Sequence, residues 1–244
     1  MTADYLPRVH TLLDEMAAAN AETLAASAGI VAQSIAQGGI LHVFGSGHSA
    51  MLAQELFYRA GGLAPVNAML DINLTIFGTS RPTWVERLEG YAESVFASYD
   101  VRAGDVAMVI SNSGINAVPI EMAMGAKTRG MTTIAVGSRA AYAGAASRHS
   151  SGKSLFELAD VVLDTCVPAG DAVIGIGDTG RATGAVSTVL GAALLNELVV
   201  RVTSELFASG SEVPVFTSQN IPGGDEANAS LVQRYRARIP LMKP

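Results

Sequence analysis

Residues 40–49 read ILHVFGSGHS, a short apolar run that leads directly into a turn rich in glycine and serine. Uninterrupted apolar runs are typical of strands that are buried on both faces of a parallel sheet. Similar runs lie at 64–68, 106–110, 133–136 and 160–163, and helical patterns lie at 50–60, 83–98, 119–128 and about 179–207. This alternation predicts an α/β fold, a three-layer sandwich with about five mostly parallel strands.

The regions on either side of this core have a different character. Apolar residues that recur three and four positions apart predict a helical N-terminal extension over 1–38, which Gly38 and Gly39 end. Its apolar stripe must be buried, and a second subunit is one surface that could cover it. Residues 208–244 are less regular and form a C-terminal extension with one short predicted helix. We therefore expect a single domain over 1–244, with its α/β core at 39–207.

The composition excludes several classes of partner. The 16 Lys and Arg against 22 Asp and Glu give a net charge of −6, and there is no basic patch of the kind that binds nucleic-acid phosphates. The single cysteine, Cys166, excludes internal disulfides and metal sites built on thiolate clusters. The first residues do not resemble a signal peptide, and no segment reaches the ~20 apolar residues of a membrane span. We expect a soluble, cytoplasmic protein that binds neither nucleic acid nor membranes.

Two turns follow predicted strands and precede predicted helices. They are GSGHS at 45–49 and SNSGIN at 111–116. Ligands of open α/β sheets bind outside the carboxyl ends of the strands, and backbone N–H groups at helix N-termini bind anions there. Serine hydroxyls add neutral donors, and the absence of lysine from both turns favours a monoester phosphate over a triphosphate with Mg²⁺. Each turn taken alone also fits a structural turn with an N-cap serine, but the two together predict a phosphate site.

The chain resembles the SIS (sugar isomerase) domain family over roughly residues 30–207. The GSGHS turn matches the family's G-x-G-x-S pattern, SNSG at 111–114 matches S-x-S-G, and SLFELAD at 154–160 matches S-x-L-x-x-x-A-D. Within the family, the chain is most similar to a group in which GSGHS, an ELFYRAGG stretch, RHSSGK and a C-terminal GGDE occur together.

The resemblance implies a flavodoxin-like sandwich that binds a sugar phosphate, usually as a homo-oligomer with shared sites, here a dimer or tetramer. It implies that Ser49, Ser111 and Ser113 bind the phosphate. Asn116 stands where the family usually has Ser or Thr, and Ser46 occupies a variable position. The predicted phosphate- and substrate-binding residues of the two turns are Ser46, Gly47, Ser49, Ser111, Asn112, Ser113 and Asn116.

Two glutamates are candidates for the base of an aldose–ketose isomerisation. Moving a carbonyl between C1 and C2 requires a base that takes a proton from carbon, and desolvation suits a carboxylate to this task. Glu197 lies inside an apolar helix, where isomerases of the family place a catalytic glutamate, and Glu55 follows the first turn. Each also fits an ion pair four residues along its helix, with Arg201 and Arg59 respectively. Arg59 stands where the family's lactyl-ether lyases and heptose isomerases have a glutamate, which argues against both chemistries.

Two of the four histidines are candidates for acid–base chemistry. His48 lies in the first turn, where we expect it to assist at a sugar oxygen. His149 lies in RHSSGK at 148–153, a cationic loop that is expected to close over the ligand, with Lys153 binding the substrate. His10 and His42 are expected to be structural.

The cationic loop also nearly matches the nucleotide-binding pattern G-x-x-x-x-G-K-[ST]. Ser147 replaces the first glycine, however, and the interval between Lys153 and Asp160 is too short for the helix that must follow such a loop. The C-terminal NIPGGDE at 220–226 is either a solvated loop or a segment that places Glu226 in a neighbouring subunit's pocket. No residue spacing predicts a metal site.

The sequence therefore favours a sugar-phosphate isomerase that works through an enediol without a cofactor. One alternative is a non-catalytic phosphosugar-binding module, as in SIS regulators, although these usually carry a DNA-binding domain and we recognise none here. The other alternative is a lyase or deaminase that acts on an amino-sugar phosphate.

Overall fold

The computed structural model describes residues 4–78, 82–239 and 241–242. Its centre is a five-stranded parallel sheet in the order β2-β1-β3-β4-β5, which confirms the predicted α/β sandwich. All five predicted strands are present within two residues of their predicted bounds. They are β1 Leu41–Gly45, β2 Val66–Met69, β3 Val106–Ile110, β4 Thr132–Gly137 and β5 Val161–Asp164.

Helices cover both faces of the sheet. Alternate residues of β3 point to opposite sides, so Met108 joins one apolar core and Val109 joins the other. The first core packs against α1, α2, α3 and α8, and the second packs against α5 and α6. The helices are α1 Tyr5–Ala19, α2 Ala21–Ala36, α3 Ser49–Leu56, α4 Pro82–Val85, α5 Tyr91–Phe96, α6 Ala117–Thr128, α7 Leu155–Leu158, α8 Ser187–Ala208 and α9 Gly224–Tyr235. No helix in the described ranges is long and apolar enough to cross a membrane.

The N-terminal extension is two helices rather than one, and it packs on its own chain. The break falls at Asn20, which is buried and hydrogen-bonded to the end of β5: its Nδ2 donates to the Asp164 carbonyl (2.7 Å), and the Asp164 N–H donates to its Oδ1 (2.8 Å). The apolar stripe, with Leu12 and Val31 at its centre, packs against α8. The expectation that a second subunit covers this stripe is therefore wrong.

Three other predicted helices are also shorter than expected. The pattern over 50–60 forms α3, which ends at Leu56 because Phe57 is extended. The pattern over 83–98 forms α4 and α5, separated by Gly90 in a left-handed conformation. The helix predicted from about 179 begins at Ser187, because an antiparallel hairpin precedes it, β6 Ala172–Gly175 with β7 Ala182–Ala185. Gly184 in this hairpin has φ +75°, which is not helical, and a Cβ there would lie 2.8 Å from the Tyr5 ring.

The C-terminal extension covers the amino end of the sheet. Leu231 of α9 packs with Ile40, which immediately precedes β1. Arg238 reaches the same end and donates from Nη2 to the buried carboxylate of Asp105 (2.6 Å). Asp105 also contacts Nε2 of the buried His42 (3.1 Å), so His42 belongs to a structural network, as expected.

Candidate functional site

A cavity of about 190 Å³ opens at the carboxyl edge of the sheet. The ends of β3 and β4 form its floor, the first predicted turn and α3 form one wall, and the start of α8 forms another. Ligands of open α/β sheets bind at this edge, so we take the cavity as the candidate site. The lining residues are His48, Ser49, Leu52, Ile110, Asn112, Val136, Gly137, Thr165, Asp171, Ser187 and Thr188.

The first turn brings two predicted residues to the cavity, His48 and Ser49. Ser49 is the first residue of α3, so its hydroxyl lies at the positive end of the helix dipole. Gly45 makes this tight turn possible, because a Cβ there would collide with the Ser49 carbonyl. The structure therefore provides a helix N-terminus, a hydroxyl and an imidazole on one wall.

The second turn separates this cavity from another. Asn112 lines the first cavity, whereas Ser113 lines a second one of about 400 Å³ together with Arg139 and Tyr142. The Ser111 hydroxyl is buried between them and accepts a hydrogen bond from the Gly114 N–H (3.2 Å). The predicted phosphate-binding serines are thus not all gathered in one cavity of this chain.

Three other predicted turn residues bind protein groups. Ser46 is buried and its hydroxyl donates to Glu86 Oε1 (2.6 Å). The Gly47 N–H donates to the Leu74 carbonyl (2.7 Å). Asn116 is buried and its Oδ1 accepts from Arg148 Nη1 (2.8 Å). None of the three lines either cavity.

The far wall consists of residues that the sequence analysis missed. Thr165 directly follows β5 and is 4% exposed, and its hydroxyl has no hydrogen-bond partner among the described residues. Asp171 accepts at the start of α8 from the N–H groups of Val186 (2.9 Å) and Ser187 (2.7 Å) and from the Ser187 hydroxyl (2.7 Å). The strand-end rule that predicted the two turns would have found Thr165 if applied to β5. Asp171 could not be predicted from local sequence, because the helix whose N-terminus it binds begins only at Ser187.

Neither predicted base lines the cavity. Glu55 is half-buried between α3 and α8, where it pairs with Arg59 and accepts from Asn196 Nδ2 (3.1 Å). Glu197 is exposed and pairs with Arg201 (2.7 Å). Both therefore form the ion pairs that were the alternative for each.

The remaining predicted residues lie elsewhere. His149 faces Glu89 and Glu121 rather than the cavity, and Lys153 is exposed and lines neither cavity. Glu226 is exposed on α9, a helix that packs at the amino end of the sheet. Any contact of Glu226 with a sugar would have to be made in a neighbouring subunit.

Comparison with known sequences agrees with the resemblance noted above. The SIS domain model matches residues 4–138. The UPF0309 protein of Caldanaerobacter subterraneus subsp. tengcongensis is 37% identical over 239 residues, which cover 96% of this chain and 97% of that protein. A UPF0309 protein of Halalkalibacterium halodurans is 39% identical over 233 residues, which cover 95% and 96% of the two chains.

Comparison with solved structures agrees with the architecture. The phosphoheptose isomerase of Neisseria gonorrhoeae superposes with a TM-score of 0.55 at 21% identity, covering 85% of this chain and 96% of that chain. The phosphoheptose isomerase of Francisella tularensis superposes with a TM-score of 0.53 at 19% identity, covering 84% and 100%. At these identities the likeness concerns the fold.

Proposed function

This chain belongs to the SIS domain family, and from that premise we propose that it binds a sugar phosphate in the cavity and interconverts its aldose and ketose forms. One observation carries the proposal. The cavity combines His48 and Ser49 with Thr165, a buried hydroxyl that has no partner in the described part of the chain. Leaving such a group unsatisfied costs about 1–3 kcal/mol, and rotation of the Thr165 side chain towards the cavity would let a sugar or phosphate oxygen supply the missing hydrogen bond.

The phosphate is expected at the N-terminus of α3. Ser49 offers its hydroxyl there, and Asn112 approaches from the second turn. The N-terminus of α8 is less suitable, because the Asp171 carboxylate already occupies it and repels a second anion. His48 then lies beside the sugar, where its imidazole can transfer protons at the substrate oxygens.

We assign the carbon-acid step to Glu55. It follows Leu52, which lines the cavity, by three residues, or about 4.5 Å along the helix axis. Glu197 lies beyond Thr188 by about 14 Å along α8. The Glu55 carboxylate pairs with Arg59 and accepts from Asn196 Nδ2, which orients it for this role.

The test is proton NMR in D₂O with a panel of aldose and ketose phosphates, following loss of the C2 proton signal. Glu55→Gln should slow exchange by at least about a hundredfold. Glu197→Gln is the matched control, because this glutamate also pairs with an arginine four residues along its helix. It should leave exchange near the wild-type rate.

The outcomes separate binding from chemistry. Absence of exchange with a sugar phosphate that binds would overturn the isomerase proposal. Loss of exchange in Glu197→Gln alone would move the base to that residue. Ser49→Ala should weaken binding of every phosphorylated sugar in calorimetric titrations, and unchanged affinity would overturn the phosphate assignment.

A non-catalytic sugar-phosphate-binding module is the second candidate. The observation that favours it is the lining of the cavity: among the residues that the structure describes, Asp171 is the one carboxylate there, and three donors of α8 occupy it. Binding without exchange across the whole panel would support this candidate. The glutamate of the heptose isomerases is replaced by Arg59, so we do not carry over their chemistry.

We further propose a homo-oligomer, a dimer or tetramer, in which a second copy covers exposed apolar side chains of α8. Val200 is 58% exposed and Phe207 is 80% exposed, and Glu197 lies on the same helix. Burial of such side chains stabilises association. Sedimentation equilibrium should give a mass well above the 25.2 kDa of one chain, and Phe207→Lys should lower it. A monomer at all concentrations would contradict this proposal.

A further inference from the structure

Two carboxylates and one imidazole converge outside the cavity, beside the loop of residues 147–154. Glu89 precedes α5, Glu121 lies on α6 and His149 lies in the loop, and one ligand atom of each lies within 4.8 Å of the others. His149 Nε2 is 3.6 Å from Glu121 Oε1 and 3.8 Å from Glu89 Oε2. These separations are too long for hydrogen bonds, so the three atoms face one another across a gap.

The size of the gap is close to what a small metal ion requires. Zn²⁺ binds imidazole nitrogen and carboxylate oxygen at about 2.0–2.2 Å, so two ligand atoms of a tetrahedral site are about 3.3–3.5 Å apart. The separations from His149 exceed this by only a few tenths of an ångström. Side-chain rotations that also bring the two glutamate oxygens, which lie within 4.8 Å of each other, to this separation would complete a three-ligand site with one open position.

Hydrogen bonds hold each of the three side chains, and two of these bonds are accepted by the oxygens that face His149, Glu89 Oε2 and Glu121 Oε1. The Ser150 N–H and hydroxyl both donate to Glu89 (2.6 Å each), and the Gly90 N–H donates to Glu121 (2.6 Å). Metal ligands in proteins are typically oriented by hydrogen bonds of this kind. The carboxylates keep further lone pairs for a cation.

The imidazole has a matching partner. The Ser151 hydroxyl lies 2.8 Å from His149 Nδ1 and can accept its proton, which leaves the Nε2 lone pair directed at the two glutamates. In this structure the Ser151 N–H donates to the same nitrogen (3.1 Å), so this exposed peptide must turn away before Nδ1 holds the proton and the Nε2 lone pair is available to a metal.

The charge of the cluster also favours a cation. The side chains of His149 and Glu121 are only 10% and 16% exposed. Within the described ranges, no lysine or arginine pairs with Glu89 or Glu121. The side chain of Glu89 is 43% exposed, and the two carboxylates together carry a formal charge of −2 that a divalent ion would balance.

We propose that Glu89, Glu121 and His149 bind one divalent transition-metal ion, with Zn²⁺ preferred, and that the ion fastens the loop 147–154 to α6. A donor set of one nitrogen and two oxygens suits Zn²⁺ better than Mg²⁺ or Ca²⁺, which prefer oxygen ligands alone. The three residues lie far apart in sequence, which is why no spacing predicted the site. The proposal is independent of the sugar-phosphate proposal.

The test is calorimetric titration of the full chain with Zn²⁺ after chelator treatment, with Mg²⁺ as the comparison ion. Zn²⁺ should bind with one-to-one stoichiometry and raise the melting temperature. His149→Gln and Glu121→Gln should each weaken binding by at least about tenfold. Glutamine at position 121 keeps an oxygen acceptor for the Gly90 N–H, so this variant should retain the α5 cap. His10→Gln, which alters an exposed histidine on α1, is the matched control and should bind as the wild type does.

Two results would overturn the proposal: no saturable binding of Zn²⁺, or equal affinity in the wild type and in both cluster variants. Circular dichroism of each variant shows whether it is folded, and Glu89→Gln replaces any variant that is not. Sugar-phosphate binding is measured on the chelator-treated protein in parallel. Loss or retention of sugar-phosphate binding by the metal-free protein tests the cavity proposal, and it does not change the conclusion about the metal site.

Discussion

Asp105→Asn should destabilise the protein at neutral pH, because this buried carboxylate is the centre of a four-donor network. Asp105 is 2% exposed. It accepts from the N–H groups of Ile40 (2.9 Å) and Arg102 (2.8 Å), from His42 Nε2 (3.1 Å) and from Arg238 Nη2 (2.6 Å). The network joins the start of β1 to the C-terminal extension.

The pKa of Asp105 gives the size of the effect. Burial alone would raise this pKa, but the hydrogen bonds, led by those from His42 and Arg238, outweigh it and lower the pKa from 3.8 to about 2. At about 1.4 kcal/mol per tenfold change in proton affinity, this corresponds to about 2.5 kcal/mol of stability. The folded pKa is the lower one, so the contribution is fully present above the unfolded pKa of 3.8 and is lost as the pH falls through about 2.

Urea denaturation followed by far-UV circular dichroism measures this directly. Asp105→Asn should lower the free energy of unfolding by about 3 kcal/mol at pH 7, since it also leaves the largely buried Arg238 guanidinium without its closest charged partner. The difference from the wild type should be smaller by about 1 kcal/mol at pH 3. Asp100→Asn, at a more exposed carboxylate 3.5 Å from Arg238, should cost less than about 1 kcal/mol. A loss below about 1 kcal/mol for Asp105→Asn at pH 7, or a loss that does not change with pH, would refute the reasoning.

Two further predictions concern other parts of the chain. Burial, together with the neighbouring Asp164, raises the pKa of the Cys166 thiol to about 11, so at pH 8 iodoacetamide should alkylate it at least about tenfold more slowly than free cysteine; a rate equal to that of free cysteine would contradict this. Gly184→Ala should lower the free energy of unfolding by about 1–3 kcal/mol, because alanine is strained at φ +75° and its Cβ would meet the Tyr5 ring at 2.8 Å. Gly177→Ala, at φ +49° with open space around it, is the control and should cost less in the same urea titration.

The parts of the fold that were predicted correctly are those that local sequence determines. Strands buried on both faces are apolar over most of their length, so β1, with His42 as its polar exception, and β3 were visible as runs. The break at Asn20 was not visible, because its cause is a hydrogen-bonded contact with Asp164, a residue distant in sequence. The β6–β7 hairpin was missed because its residues continue into the apolar pattern of α8, whereas in the structure Gly180 and Gly184 both have a positive φ that a helix does not accept.

The residues of the candidate site likewise fall into those that local sequence predicts and those that only the tertiary structure reveals. His48, Ser49 and Asn112 were predicted because each follows the carboxyl end of a strand, and the cavity lies at that edge. Asp171 could not be predicted, because it reaches α8 through the folded-back hairpin rather than through local sequence. The sequence also does not show which face of α3 packs against α8. The contact between Glu55 and Asn196 was therefore visible only in the tertiary structure.

The polar turn residues that do not line the cavity connect the two turns with each other. Ser46 of the first turn holds Glu86, and Asn116 of the second holds Arg148. Glu86 lies in the segment before α5, and Arg148 lies in the loop 147–154. These two segments contact each other where the Ser150 N–H and hydroxyl donate to Glu89.

The two turns are therefore linked by hydrogen bonds. The first turn is bonded to the segment before α5, that segment is bonded to the loop 147–154, and the loop is bonded to the second turn. Loops that carry binding residues are more mobile than the strands they follow unless contacts restrain them. The buried Ser46 and Asn116 therefore hold the two turns in place, and their contact with a ligand stays a prediction. An ion bound by His149, Glu89 and Glu121 would add a further link between the segment before α5 and the loop 147–154. It would therefore strengthen that restraint.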